Sequence, residues 1–295
     1  MLRVLLIGGS GFIGKHIANK LYGLYDITVA DKRIDKTYFD SFPDITRYEL
    51  DLSDGQIPAD CPDPDFIINL ASIVTASRDM TLFDAMIAAN LKILLNLYER
   101  FKETERLKLF IQFGSSEEYG LAESPYREDM REQPVSPYAL VKQLTTNTTI
   151  MLYHNYGFPA MVVRPGNLFG QGQNPDKFIP YVLSQLKKGQ LLKVTPCEQR
   201  RDFIHIDDFC EAIDIILANP AQCVGEIMNI SSGTSIPLKD IIETLRQATG
   251  STSSVQYGAI PYRENEAMDL RCDTTKFDCL RKNHLLALRL GQMTK

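Results

Sequence analysis

Short apolar runs alternate with longer stretches of helical period through the first half of the chain. Leu2-Arg3-Val4-Leu5-Leu6-Ile7-Gly8 is such a run, and a strand apolar at successive positions is one covered on both faces, as in a parallel sheet. The pattern predicts a helix over 12–22, strands over 26–31, 45–51 and 66–70, and a long helix over 81–103. Ala85, Ala88, Ala89, Leu91, Leu95 and Leu97 form the apolar side expected of that long helix. A strand over 107–113, a second long helix over 136–156 and a strand over 160–164 follow. Strands alternating with helices predict an α/β fold, a doubly wound parallel sheet with helices on both faces. After Pro165 the alternation loosens, with helical segments near 177–188, 207–218 and 237–249 between short strands. The expected organisation is a large domain over 1–166, completed by parts of 203–232, and a smaller α/β lobe over 167–295.

Bulk properties narrow the picture. The chain has 295 residues, 44% hydrophobic and 23% charged, which is ordinary for a globular protein with a sizeable core. Its formal charge of −5 and the lack of any Lys/Arg run give nucleic-acid binding little electrostatic support. An anionic substrate would need a few placed arginines. The cysteines (Cys61, Cys197, Cys210, Cys223, Cys272 and Cys279) form no Cys-x-x-Cys pair and adjoin no His cluster, so no zinc or redox motif is indicated. Scattered thiols fit a reducing compartment. Met1 leads directly into the first apolar run, and no uninterrupted apolar run nears the length of a membrane span. A cytoplasmic chain without membrane contact is expected.

Gly8-Gly9-Ser10-Gly11-Phe12-Ile13-Gly14 lies between the first strand and the first helix. Glycines there permit a tight turn and close approach of the backbone to a pyrophosphate, and the N–H groups at the start of the helix, at Phe12 and Ile13, face that anion. The arrangement predicts a Rossmann-type dinucleotide site at Gly8, Gly11 and Gly14. Asp31, at the end of the second strand, suits the two ribose hydroxyls of adenosine and repels a 2′-phosphate. NAD is favoured, with NADP possible because Lys32 and Arg33 follow. Further on, Tyr138 and Lys142 lie four apart in a helical stretch and so share a face. Lowering a phenol pKa by about 3 units takes about 4 kcal/mol, which one ammonium roughly 4 Å away supplies at an effective dielectric of about 20.

Together these segments resemble the extended short-chain dehydrogenase/reductases, the nucleotide-sugar epimerase, dehydratase and reductase family, over essentially the whole chain. The resemblance matches Gly8, Gly11 and Gly14 to a Gly-x-x-Gly-x-x-Gly motif and Asp51-Leu52 to an Asp-Leu beside the adenine. Leu70-Ala71 matches a small-residue turn against the cofactor, and Asn90 the Asn of an Asn-Val-x-Gly helix whose small residues are here replaced by Lys92-Ile93. Gly114-Ser115-Ser116-Glu117-Glu118-Tyr119-Gly120 resembles the segment with the catalytic hydroxyl, which selects Ser115; Tyr138 and Lys142 complete a catalytic triad. The resemblance implies that Tyr138 moves the proton of a sugar hydroxyl, that Ser115 bonds the same oxygen, and that Lys142 depresses the Tyr138 pKa and holds the nicotinamide ribose. It implies a nucleoside-diphosphate sugar as substrate and a homodimer through the two long helices. Pro165 would flank the cofactor. Asn167, in Arg164-Pro165-Gly166-Asn167-Leu168-Phe169-Gly170, and Arg201, in Arg200-Arg201-Asp202-Phe203, would bind the diphosphate. Arg263 would join them, although Glu264-Asn265 stands where Pro-Gly is usual.

Three reactions share the first step, hydride transfer at sugar C4. Ser116-Glu117 is a pairing that dehydratases place after the catalytic hydroxyl, which would put Ser116 at the substrate and make Glu117 a C5 base. The whole string through Tyr119-Gly120 looks closer to the 4-keto reductases. The leading expectation is a reductase of a 4-keto-6-deoxy nucleotide sugar; the alternatives are an NAD-dependent 4-epimerase or 4,6-dehydratase, and more remotely a non-catalytic dinucleotide sensor.

Overall fold

The computed structural model describes residues 1–75 and 77–293, so the last two positions of the expected second lobe, 294 and 295, lie outside the described residues. Strands β1 (Arg3–Ile7), β2 (Asp26–Asp31), β3 (Thr46–Glu49), β4 (Phe66–Asn69), β5 (Leu109–Phe113) and β6 (Ala160–Pro165) are joined by Ile227–Ile230 in one seven-stranded sheet. The order is Ile227–Ile230, β6, β5, β4, β1, β2, β3, with every pairing parallel. Every residue of β4 and β5 is buried, which explains why these strands read as unbroken apolar runs. One face packs on Ile17, Ala18 and Leu21 of helix Phe12–Leu21 and on Phe209, Ile213 and Ile216 of helix Ile206–Ala218. The other packs on Ile93, Leu94, Leu97, Phe101 and Leu152.

The first long helix departs from its expected face. Met80–Phe101 starts as a 3₁₀ turn at Met80–Leu82, continues as α-helix, contains a π turn at Ala88–Lys92 and resumes as α-helix over Ile93–Phe101. The wider turn holds one extra residue and shifts the helical phase. Ala85 and Leu95 are exposed, Ala88, Ala89 and Leu91 half-buried, and Leu97 alone of the expected apolar side is buried. Met86, Asn90, Ile93, Leu94 and Phe101 turn inward instead. The helix contains a stretch of mean hydropathy 1.4, and by length and composition it is able to cross a bilayer, which counting uninterrupted apolar runs overlooked. Here it packs against helix Pro137–Tyr156 and carries the buried polar Asn90.

Beyond β6, strands Asn167–Phe169, Arg200–His205, Ser235–Pro237 and Asp269–Leu270 form a separate four-stranded sheet. Helices Phe178–Lys187 and Leu238–Thr249 bury Val182, Leu186, Leu238 and Ile242 in a small core with Leu192 and Val194. Helix Ile206–Ala218 is capped by His205, whose Nδ1 accepts from the Asp207 N–H at 3.3 Å; Asp207 and Asp208 occupy the first turn. Asp202, wholly buried, ties the layers together. Its carboxylate accepts from the Ser232 N–H at 3.0 Å, the Ser232 hydroxyl at 2.6 Å, the Gly233 N–H at 3.1 Å and the Cys272 N–H at 3.2 Å. Asp202→Ala leaves three backbone donors without an acceptor, at about 1–3 kcal/mol each. It should cost about 3 kcal/mol or more, seen as a lower urea midpoint with an unchanged slope.

Candidate active site

All seven strands point their C-terminal ends to one edge, where a cleft of about 1340 Å³ opens between the large sheet and the second lobe. Drug-sized ligands occupy roughly 300–1,000 Å³, so this volume accommodates more than one such molecule end to end. Among the residues that the sequence singled out, all line this cleft except Lys142 and Asn90, which are buried behind its wall.

The β1 end is built to admit a dinucleotide. Gly8 has φ +73°, and a Cβ there would meet the Ala71 backbone nitrogen at 2.9 Å, because the Leu70-Ala71 turn crosses directly over it. A Cβ on Gly14 would lie 2.5 Å from Gly9 Cα, so the helix can start this close to the turn only with glycine. Gly11 is the N-cap and offers no side-chain acceptor, which leaves the N–H groups of Phe12 and Ile13 free for an anion. Asp31 is fixed by the Ser10 N–H at 2.9 Å and the Arg33 N–H at 3.2 Å. Lys32 does not neutralise it: its ammonium lies 2.6 Å from Asp51, whose carboxyl it holds down to about 2 with help from Ser53. Leu52 lies in the wall beside Asp51, and the Ser72 hydroxyl is buried there with no partner. These donors, the open helix start and the glycine cradle fit NAD.

At the centre of the edge, Ser115 ends the turn after β5 and caps the 3₁₀ turn Ser116–Tyr119. Its Oγ accepts from the Glu117 N–H at 3.2 Å, while Glu118 accepts from its backbone N–H at 2.7 Å. Ser136 caps helix Pro137–Tyr156, and Pro137 at its start places Tyr138 in the first turn with Lys142 one turn on. Lys142 Nζ donates to Phe113 O at 2.8 Å and lies 5.9 Å from the Tyr138 ring centre. Burial pushes the Tyr138 phenol well above its ordinary value, with the Glu117 charge adding and the Ser115 hydroxyl opposing. Burial pulls Lys142 down to about 8 against the upward pull of Glu118. In the side chains as they stand, the phenol's shift is set by burial, Glu117, Ser115 and Glu118, with no contribution from Lys142. Asn90 lies in the π turn, donates to Met86 O at 2.8 Å, and keeps a buried oxygen without a partner.

The second lobe supplies the cations. Asn167 donates to Asp202 O at 3.1 Å, and Pro165 stands beside it in the wall. Arg201 is committed to Glu266 and to the Ala267 carbonyl at 2.7 Å, and burial lowers its pKa. Arg263 shares the wall. Glu117, beside Ser116, is raised by burial, and the charges of Lys177, Arg263 and Arg201 work in the opposite direction. Lys177 went unnoticed in the sequence. It stands at the N-cap of helix Phe178–Lys187, after the Gly170–Asp176 loop, and only the folded loop brings it opposite Glu117.

A parallel sheet with a glycine-rich first turn, and a buried Ser–Tyr–Lys group at the same edge, define a dinucleotide-dependent oxidoreductase class. Residues 4–231 match the model of the NAD dependent epimerase/dehydratase family, and the chain belongs to that family. It is 25% identical to the low-salt glycan biosynthesis protein Agl12 of Haloferax volcanii over 94% of this chain and 92% of that one. It is 26% identical to a dTDP-glucose 4,6-dehydratase of Streptomyces niveus, over 93% and 85%. The UDP-glucuronic acid 4-epimerase of Bacillus cereus, solved with UDP-glucuronic acid and NAD, superposes with a TM-score of 0.88 at 22% identity, covering 95% and 93%.

Lys142 also sets a stability test. Its folded pKa of about 8 lies below the ordinary value of 10.5, so between these the unfolded chain binds the extra proton. Relative to Lys142→Met, the wild-type protein should gain stability as pH rises from about 8 towards 10.5. Urea unfolding at about pH 7.5 and about pH 9.5 measures the difference.

Proposed function

We propose that the protein is a nucleoside-diphosphate-sugar 4-epimerase that retains its NAD, oxidising the sugar at C4 and returning the hydride to the opposite face. The observation that carries this reading is the position of Tyr138 and Ser115 where the dinucleotide groove meets the cation-lined pocket of the second lobe. When bound, NAD supplies the hydride acceptor and, in its oxidised form, a positive charge. Gly8, Gly11, Phe12, Ile13, Gly14, Asp31, Asp51, Leu52, Leu70 and Ala71 would hold it. Tyr138 takes the proton from the C4 hydroxyl and later gives it back, while Ser115 steadies the same oxygen. A protonated resting phenol needs additional positive charge before it can act as a base. Lys142 carries part of that charge, and Asn167, Arg201 and Arg263 orient the diphosphate.

Glu117 favours a second reading, 4,6-dehydration. Elimination of water across C5 and C6 needs a base at C5, and Glu117 is a solvent-exposed carboxyl in the cleft wall, of raised pKa, beside Tyr138 and Ser116. The reductase first expected from the sequence has less support, because the family and the relatives above speak for epimerases and dehydratases.

Purified protein incubated with UDP-glucuronic acid, UDP-glucose, dTDP-glucose and GDP-mannose, without added cofactor, should convert one of them to its C4 epimer by NMR. Tyr138→Phe should lower kcat by about 10²–10⁴-fold. Formation of a 4-keto-6-deoxy product, lost in Glu117→Gln, would establish the dehydratase. Turnover only of a 4-keto sugar with added NADH would restore the reductase, and binding without turnover would indicate a sensor.

A homodimer through the two long helices belongs to the same reading. Leu95 on one, and Leu140, Leu144 and Met151 on the other, are exposed apolar side chains of adjacent helices. Leu144→Glu should convert a dimer to a monomer in sedimentation equilibrium.

A further inference from the structure

Two amides stand on the large sheet where its core is otherwise apolar. Ile67 on β4 and Phe110 on β5 belong to the core on one face. Two residues on, the same face carries Asn69 and Gln112, both wholly buried. They are also the last pair in register between β4 and β5, because β4 then leaves as the Leu70-Ala71 turn over Gly8. Apolar side chains would fill this space with no partner to find, whereas a buried amide is costly unless its N–H and C=O groups are bonded.

The partners form an unbroken chain. The Ala71 N–H donates to Asn69 Oδ1 at 3.3 Å, Asn69 Nδ2 to Gln112 Oε1 at 2.8 Å, and Gln112 Nε2 to Phe113 O at 3.1 Å. Lys142 Nζ donates to the same carbonyl at 2.8 Å. Only one arrangement satisfies both ends. The Ala71 N–H can only donate and Phe113 O can only accept, so neither amide is free to turn over. One end of the chain thus holds the turn that lies against the glycine cradle. The other meets the ammonium that stands 5.9 Å from the Tyr138 ring centre.

We propose that Asn69 and Gln112 are positioning residues: their hydrogen-bond ladder holds the cofactor turn and Lys142 in one register, so that NAD seats against a lysine already in place. This rests on the reading of Ser115, Tyr138 and Lys142 as the catalytic group and of the glycine turn as the NAD cradle. Neither amide is among the residues that line the cleft, so each acts through what it holds. A role in packing alone would show in melting and nowhere else.

Asn69→Leu, Gln112→Met and the double variant separate the two roles. Each single change strands a polar atom of the other amide in the core and should lower Tm. The double change removes both amides and should bring Tm back towards that of the wild type. Function should not return with it. Calorimetric titration of NAD into the nucleotide-free double variant should give a Kd raised about 3–10-fold, because the Ala71 turn has lost its anchor. On whichever sugar nucleotide of the panel above the wild type converts, kcat should fall about 10-fold or more. KM should stay unchanged, since Asn167, Arg201 and Arg263 are untouched. A wild-type Kd for NAD in the folded double variant overturns the proposal, and so does a wild-type kcat. Where the double variant does not fold, Gln112→Asn decides by the same two readings, being one methylene too short to span both partners. Lys142→Met sets the two levels apart. Wild-type turnover in that variant sinks the catalytic group, and the lysine end of the ladder with it. An inactive Lys142→Met, beside a double variant of wild-type Kd and kcat, sinks the ladder alone.

Discussion

Seven parallel strands must each be re-entered from the same end, and this single constraint arranges everything else. Each return crosses a face of the sheet, so both faces are covered and the strands become apolar throughout. Each strand then ends at one edge, where helices begin and turns lie bare. The glycine turn after β1, the acid after β2, the Ser115 turn after β5 and Pro165 at the end of β6 come from distant parts of the chain. They meet because backbone hydrogen bonding leaves the ends no other place to go.

That regularity is also what made the fold readable. Strand β2 was delimited from its apolar run and its flanking residues to the last position, and helix Phe12–Leu21 to within one. The glycine motif, Asp31, Ser115 and Tyr138 all line the cleft, because each lies at a strand end or a helix start that a local pattern announces. What escaped reading was non-local. The π turn at Ala88–Lys92 has no residue signature, and the buried face of its helix is not the expected one. Lys177 became a partner of Glu117 only after the chain folded back. The commitment of Arg201 to Glu266 joins positions far apart, which spacing alone does not reveal.

The electrostatics were the least legible part. A Tyr-x-x-x-Lys spacing suggests an ammonium acting on a phenol, yet the same helix places both groups out of water. Burial then dominates, raising the phenol and lowering the amine, and nearby carboxylates add their own bias. Distance in sequence says nothing about dielectric surroundings. The sign of each shift follows from what encloses the pair, and that is a property of the whole edge.

The strand Ile227–Ile230 has a consequence for how the chain is divided. It reaches β6 only after the polypeptide has travelled out through Asn167–Phe169 and Arg200–His205 and come back, and the chain then leaves again for Ser235–Pro237 and Asp269–Leu270, so the two layers are interleaved along the sequence. No single cut near 166 separates two self-sufficient pieces: an amino-terminal fragment lacks the edge strand that covers β6 and the helix Ile206–Ala218 that shields one face. A graft of the groove or of the pocket onto another scaffold must for that reason carry both passages of the chain.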